Sequence, residues 1–351
     1  MEERLQKIYE ILDLISKFES RREGGAFSKS FQTVHQLLHE QSKSALTPSP
    51  NGANAISFRY TIPAEICIPR NEKKEQPRQV VSAVTLSALL SMFDEVTSWL
   101  IMCVDRRKRS GVSIALGCHL ADVNVAMPGA GDVIEVRARV DKIGRNLGFS
   151  SFEARRLDTT CQRICIGYHT KFLPMGWLYE TTMSSYLLFS VTRVAVSYFS
   201  TSNENNEANR RPCLLSELLK IIDGGDGHGD DDDSKHSYSF NITDDHCNTV
   251  GTMYGGCQAM VYEEVGRRIL SSRTSNVKCD NEFAQLESIH IDYLSSENKG
   301  VNIEFNVFYM DADRALMRVE MKSNSSVSRA VSRCKMTWRF KSNNAIPRAS
   351  M

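Results

Sequence analysis

Residues 248–264, NTVGTMYGGCQAMVYEE, decide how the rest of the chain is read. A loop that begins at Asn248 runs into paired Gly255 and Gly256, and then into an apolar stretch that carries Glu263. Glycine lets a substrate approach the backbone closely, and the first amides of a helix are unpaired donors that favour negative charge. The stretch therefore reads as a loop, a helix start and a carboxylate two turns further on. Such a start suits acyl chemistry, although a glycine pair before an amphipathic helix also serves simply as a packing device.

Working outward, the helical pattern covers 254–270, and strand-like runs follow at 284–295, 301–310, 315–323 and 327–340. The same order occurs earlier. Residues 80–104 read as a helix with Leu86, Leu89, Leu90, Phe93, Thr97, Leu100 and Ile101 on one broad face. Strand-like runs at 112–126, 132–142, 147–157 and 161–173 follow, separated by turns such as Pro128-Gly129 and 144–146. The copies align at one offset, since 263 − 94 = 169 for Glu263 and Asp94, and 300 − 131 = 169 for Gly300 and Gly131. An internal duplication is expected, each copy an α+β layer of one long helix against an antiparallel meander. Asp94 sits on or beside the apolar helix face, where an unpaired charge is costly; a position at the watery edge, or a pairing with Arg106 or Arg107, is the alternative.

Composition narrows the classes. The 351 residues carry 43 Lys+Arg against 42 Asp+Glu, so no global charge excess points to nucleic acid or an anionic membrane. Ten cysteines form no CxxC pair, and Cys161 and Cys165 are expected to share one strand face; buried reduced thiols in an intracellular protein fit this usage, and a metal site does not. No apolar run approaches the roughly 18 residues of a membrane span. The N-terminal MEERLQKIYEILDLISKF places Leu5, Ile8, Leu12, Ile15 and Phe18 at helical spacing, for docking a partner or covering the body. Its early acidic residues argue against a transit peptide and its broken apolar pattern against a secretory signal, so a cytoplasmic location is favoured, with an organelle the alternative.

The expected organisation is an N-terminal helix and connector over 1–55, with a short helix near 31–39, then a first domain over 56–175. A linker and insert over 176–236 holds MSSYLLFSVTRVAVSYF, a short helix near 214–222 and the tract GGDGHGDDDDSKH, whose consecutive Asp residues lack calcium-loop spacing. A second domain covers 237–342 and a tail 343–351.

Asn248, Tyr254, Gly255, Gly256 and Glu263, in that order and spacing and ahead of a meander, resemble the hotdog-fold acyl-CoA thioesterases of the phenylacetate (PaaI) type. The first copy resembles them in PGAGDVIEVRARVDKIGRNLGFSSFEARRLD and in IGYHTKFLP, with a Pro-x-x-Gly-Asp turn, a Gly-Arg turn and a closing His-Thr-Lys strand. The resemblance covers most of 80–174 and 240–340. It implies two hotdog domains in one chain, each a central helix wrapped by an antiparallel sheet, packed as a pseudo-dimer. The chain departs from the pattern at Tyr254, where His is usual, and at Glu263, where Asp is commoner; the first copy has Gln79 at the Asn position and Thr85-Leu86-Ser87 for Tyr-Gly-Gly.

Gly256 and Glu263 are about 10 Å apart along one helix at 1.5 Å per residue, so one thioester carbon cannot meet both. The resemblance implies antiparallel central helices, with the Gly255-Gly256 start facing Asp94 of the other copy and Glu263 facing the Thr85-Leu86-Ser87 start. It implies hydrolysis of an acyl-CoA or acyl-carrier thioester, with Asp94 as general base or, as the alternative, nucleophile, the Gly256 amide as oxyanion donor and Asn248 orienting water or thioester. Glu263 is expected to belong to a second site that is degraded or structural. Tyr254, Gly255, Thr97 and Ser113 are the expected substrate contacts. No metal and no cofactor beyond the coenzyme A of the substrate is implied, nor a nucleic-acid partner; a homo-oligomer of double units is possible. Arg106, Arg107, Lys108, Arg109, Arg267 and Arg268 are candidates for the coenzyme's phosphates. A non-catalytic acyl-binding or scaffold protein is the competing reading, and a hydratase a third that lacks its usual Asp and His pair.

Overall fold

The computed structural model describes residues 26–33, 47–48, 54–69, 82–157, 161–174, 214–219, 221–223, 237–248, 251–274, 284–297, 300–310, 313–324 and 329–340, with isolated positions at 10, 13, 36 and 176. In chain order come α1 (Ala26–Phe31), β1 (Thr47–Pro48), β2 (Ala55–Thr61), a 3-10 turn (Ala64–Ile66), β3 (Cys67–Pro69), β4 (Ser82–Val84) and the long α2 (Leu86–Val104). Four strands follow: β5 (Val112–Leu120), β6 (Val133–Ile143), β7 (Leu147–Arg156) and β8 (Arg163–Phe172). Then come α3 (Leu215–Leu218), β9 (Ile221–Asp223), β10 (Ser237–Asn241), a 3-10 turn (Asp244–His246) and the long α4 (Gly255–Thr274). The chain closes on β11 (Ala284–Tyr293), β12 (Gly300–Met310), β13 (Arg314–Ser323) and β14 (Ala330–Phe340).

The strands alternate faces, as their sequences require. In β6, Ile134, Val136, Ala138 and Val140 are buried while Arg139 and Asp141 point out; in β13, Ala315, Met317, Val319 and Met321 are buried between exposed Arg314, Leu316 and Arg318. Twelve strands join one antiparallel sheet in the order β1-β2-β6-β7-β8-β5-β11-β14-β13-β12-β10-β9. Read inward from either edge, the order is the same under the exchange of early strands for late ones. The two halves meet where Ala115–His119 of β5 pair antiparallel with Ser288–Asp292 of β11.

Both long helices lie against the buried face of this sheet and against each other. Helix α2 is buried on nearly all sides from Leu86 to Met102, which explains its mostly apolar sequence. By length and composition it is the one described helix apolar enough to cross a membrane, and 83% of that apolar window is buried inside the fold, as a core helix requires.

Four details differ from the sequence reading. The helix expected from residue 80 starts at Leu86, because Thr85 takes an extended conformation and its hydroxyl accepts the Ala88 amide; Ser82–Val84 just before it form a strand. Residues 26–31, read as loose connector, are a helix whose Phe27 and Phe31, four apart, are wholly buried. Cys161 does not share a face with buried Cys165: it is exposed in the turn before β8, at φ 46°. The short helix expected near 31–39 is described only at 31–33 and 36, and the one near 214–222 ends at Leu218 and gives way to β9 at Ile221. The apolar positions of the expected N-terminal helix, Gln79, the apolar stretch from Met183 and the acidic tract lie outside the described residues.

Candidate active site

The two long helices cross with reciprocal contacts. The Gly256 amide, second in α4, donates to Asp94 Oδ2 in the middle of α2 at 3.2 Å. The Ser87 amide, second in α2, donates to Glu263 Oε2 in the middle of α4 at 2.9 Å. The early part of each helix therefore meets the middle of the other, which is antiparallel packing. Each carboxylate accepts an amide that a helix start leaves without an internal partner.

Glycine is required at this crossing by space. A Cβ on Gly256 would lie 2.6 Å from Ser91 Cβ and 2.7 Å from Ser91 Cα; one on Gly255 would lie 2.9 Å from both Asp94 Oδ2 and the Tyr293 hydroxyl. Ser91 Oγ sits 2.8 Å from Gly256 O and from Ser87 O, and the Tyr293 hydroxyl donates to Gly255 O at 2.9 Å. The helices are thus stapled by hydroxyls around the amide that faces Asp94.

On its other side Asp94 meets β5 and β8. Ser113 Oγ is 3.2 Å from Asp94 Oδ1 and 2.8 Å from His169 Nε2, and His169 Nε2 is 3.5 Å from Asp94 Oδ1. His169 Nδ1 is 2.7 Å from Thr97 Oγ1, which itself donates to Phe93 O at 2.6 Å. Since the Thr97 hydrogen is used on a carbonyl, its oxygen accepts from the imidazole, and the network assigns the proton to Nδ1. Nε2 then faces the Ser113 hydroxyl, whose one hydrogen is directed at Asp94 Oδ1. Lys171 completes the cluster, its Nζ donating to Ser98 Oγ at 2.7 Å.

Burial sets the protonation states. Asp94 is 7% exposed, and desolvation raises its pKa despite the Lys171 charge, the Ser113 hydroxyl and the Gly256 amide, which all favour the ionised form. Desolvation also holds His169 well below its ordinary value, with Lys171 adding repulsion, so the imidazole is neutral. Lys171, desolvated but attracted to Asp94, is brought down to about 8. A carboxylate raised by burial beside a donor-rich helix start is an arrangement suited to proton transfer.

The corresponding surroundings of Glu263 are apolar. In β5 and β8, Ser113 pairs with Lys171 and Leu116 with His169; in β11 and β14, Ala284 pairs with Phe340 and Leu286 with Trp338. Ala284, Trp338 and Phe340 thus stand where Ser113, His169 and Lys171 stand. At the Thr97 position is Gly266, where a Cβ would meet the Trp338 ring at 2.8 Å. Glu263 is itself buried and bonded to Arg267 at 2.9 Å as well as to Ser87.

The structure brings Asp94, Gly255, Gly256, Thr97 and Ser113 into one cluster and Glu263 into another. Asn248 is engaged in its own loop, its Nδ2 donating to Thr252 Oγ1 at 2.9 Å and its Oδ1 accepting the Thr252 amide at 3.1 Å. Tyr254 is half-buried, its ring 6.1 Å from that of Phe27 in α1. Arg267 and Arg268 are bonded to Glu263 and Glu264. Sequence reasoning missed His169, Lys171 and Tyr293 as members of the cluster. The signal was present in β8, where strand alternation turns His169 and Lys171 to the same inner face. Among the described residues no group of His, Cys, Asp and Glu is placed to hold a metal.

No protein-family model matches the sequence, and no curated protein matches it. Solved structures do. One, a protein assigned as a thioesterase from Novosphingobium aromaticivorans, is 10% identical, with 85% of this chain and 99% of that one covered at a TM-score of 0.53. Another, the tesB protein of Mycobacterium avium subs paratuberculosis, is 7% identical over 85% of this chain and 96% of that one, at 0.51. At such identities the likeness is one of fold, and the fold is the hotdog fold, a long helix wrapped by an antiparallel sheet.

Proposed function

We propose that the chain is a double hotdog, with copies at 56–175 and 237–342, that hydrolyses an acyl-CoA thioester at one site shared between them. The observation that carries this reading is the buried Asp94 carboxylate, held between the Gly255-Gly256 helix start of the other copy and the Ser113–His169 pair. The palindromic strand order supports the duplication. The apolar residues at the Glu263 position support a single working centre.

In this reading ionised Asp94 takes a proton from water as the oxygen attacks the thioester carbon. The carbonyl π electrons move to oxygen, and the oxyanion is held by the positive end of α4 and by the Gly256 amide, which Asp94 releases as it takes up the proton. When the tetrahedral intermediate collapses, the C–S bond breaks and the sulfur leaves with the proton, giving a free acid and a thiol. Ser113 steadies ionised Asp94 by donating its hydroxyl to the carboxylate and turns that hydrogen bond to His169 Nε2 when Asp94 is protonated, with no proton transferred, while Lys171 keeps part of the carboxylate population ionised. No cofactor takes part.

Purified protein assayed against short, long and aryl acyl-CoAs tests the proposal, with Asp94→Asn as the control. Turnover lost in that variant supports it. No turnover by the intact chain with any of them, together with stable co-purification in a large complex, favours the scaffold reading.

A further inference from the structure

Three contacts to one face of α2 lie in a line. Ser91, Asp94 and Ser98 are spaced by three and then four residues, so they share that face over about 10 Å. The Gly256 backbone rests on Ser91 and gives its amide to Asp94, and Lys171 Nζ donates to Ser98 Oγ at 2.7 Å. Asp94 therefore stands between an amide of the α4 start on one side and a primary amine on the other.

The amine is placed by its surroundings. Ser98 spends its own hydrogen on Asp94 O at 2.6 Å, so its oxygen accepts from Lys171, and this bond takes one of the three N–H groups of an ammonium. Lys171 is only 5% exposed, and a cation held that deep is costly unless an anion meets it. The titratable groups around it are Asp94 from α2 and His169 from its own strand, while Ser113 of β5 and Gly148 of β7, its partners in register, carry no charge. Burial and the attraction of Asp94 leave the amine at about 8, near the roughly 8.5 of an alkyl thiol. The other copy has no counterpart. Phe340 stands at the position of Lys171, and at that of Ser98 is Arg267, which is bonded to Glu263 at 2.9 Å.

Thioester hydrolysis at Asp94 creates two anions in turn, an oxyanion and then a thiolate. The Gly256 side of the line serves the first. The second, released away from water, is an unpaired charge unless a cation or a proton reaches it. We propose that Lys171 is the acid that meets the departing sulfur, its ammonium holding the thiolate as it forms and protonating it. This role rests on the proposed hydrolysis. As the C–S bond breaks, its electron pair goes to sulfur, and the sulfur takes a proton from Nζ. The proton that Asp94 took from water replaces it on the amine, so carboxylate and ammonium are both restored when acid and thiol leave.

Leaving-group dependence is the test. The full chain is given one acyl group on two thiols: pantetheine, an alkyl thiol, and a nitrothiophenol, whose thiolate is stable without a proton. Lys171→Met should lower kcat/KM for the alkyl thioester by about 100-fold and for the aryl thioester by less than about tenfold. A change in Asp94 caused by the lost charge acts on both substrates alike and cancels in the ratio. Ser98→Ala, which keeps the amine and removes its anchor, should show the same selectivity at smaller size. Circular dichroism and melting confirm that both variants fold. In wild type, kcat/KM for the alkyl thioester should fall again above about 8, and Lys171→Met should abolish that fall. Equal losses on the two thioesters, or an unchanged alkyl rate, would overturn the role of Lys171 and leave the hydrolysis standing. No turnover of either thioester by wild type would remove both.

Discussion

The Gly256 amide reaches Asp94 Oδ2 at 3.2 Å across 162 positions of sequence, so one candidate centre is made from both halves of the chain. The relationship is mirrored by Ser87 and Glu263 in geometry but not in chemistry, because Ala284, Trp338 and Phe340 replace the polar partners. Asp94→Asn should therefore lower kcat by about 10²- to 10⁴-fold, the usual range for loss of a general base, while Glu263→Gln keeps most of it. Steady-state kinetics on both variants checks this. The reverse result would assign the working centre to Glu263.

Ser113 is expected to matter through kcat rather than KM. Ser113→Ala removes a hydroxyl 3.2 Å from the Asp94 carboxylate and leaves His169 Nε2 without its 2.8 Å partner, both in a buried setting. A hydrogen bond to a charged group contributes about 1.5–3 kcal/mol, which corresponds to a loss of roughly 10- to 100-fold in rate. Thr or Cys at 113 separates the cases, since only Thr restores a hydroxyl of comparable strength. An alanine variant with full kcat would remove Ser113 from the mechanism.

The pH dependence follows from Asp94 and Lys171. As a base, Asp94 must be ionised, so kcat/KM should rise with pH through a limb above the ordinary carboxylate range, because burial raises this group. Lys171 opposes that rise by its charge, and Lys171→Met should move the limb to still higher pH. Stability has the opposite sign for Asp94. The folded state holds its proton where the unfolded chain has lost it, so the cost of ionising it is absent below about 3.8 and grows until the raised folded value is passed. For Lys171 the cost is complete below about 8 and disappears as pH rises toward 10.5. A rate profile unmoved by Lys171→Met would show that the lysine charge does not reach Asp94.

Periodicity made most of this fold legible. Strands such as β6 and β13 alternate so regularly that their inner faces are written in the sequence, and the family resemblance, applied at the common offset of Asp94 and Glu263, carried the partnership of the two helices. The centre was legible only where it lies on those helices. His169 and Lys171 come from a strand whose relation to Asp94 depends on how the sheet wraps α2, and no spacing along the chain encodes that. Asn248 shows the converse: its position matches a family pattern, while its amide is spent on Thr252. The start of α2 was misjudged because apolar character runs through β4 into the helix, and only the Thr85 cap marks the border.

The tight contact of Gly256 with Ser91 also decides how the oxyanion role can be probed. A valine at 256 would be driven into Ser91 before any effect on the amide could be read, since even a single added Cβ lies 2.6 Å from Ser91 Cβ. Gly256→Ala should destabilise the protein by about 1–3 kcal/mol through overpacking. Ser91→Gly alone should also destabilise it, by roughly 1 kcal/mol for glycine in a helix together with the lost hydroxyl contact to Gly256 O. Combined, the two should cost less than their sum, because the space freed at 91 accepts the methyl group at 256; recovery stays partial, since Ser91 Cα remains 2.7 Å from the new atom. Denaturant unfolding of the four proteins measures the coupling. Strict additivity would mean that the helices move apart freely at this crossing, and the Gly256 amide would then not be held against Asp94 by packing.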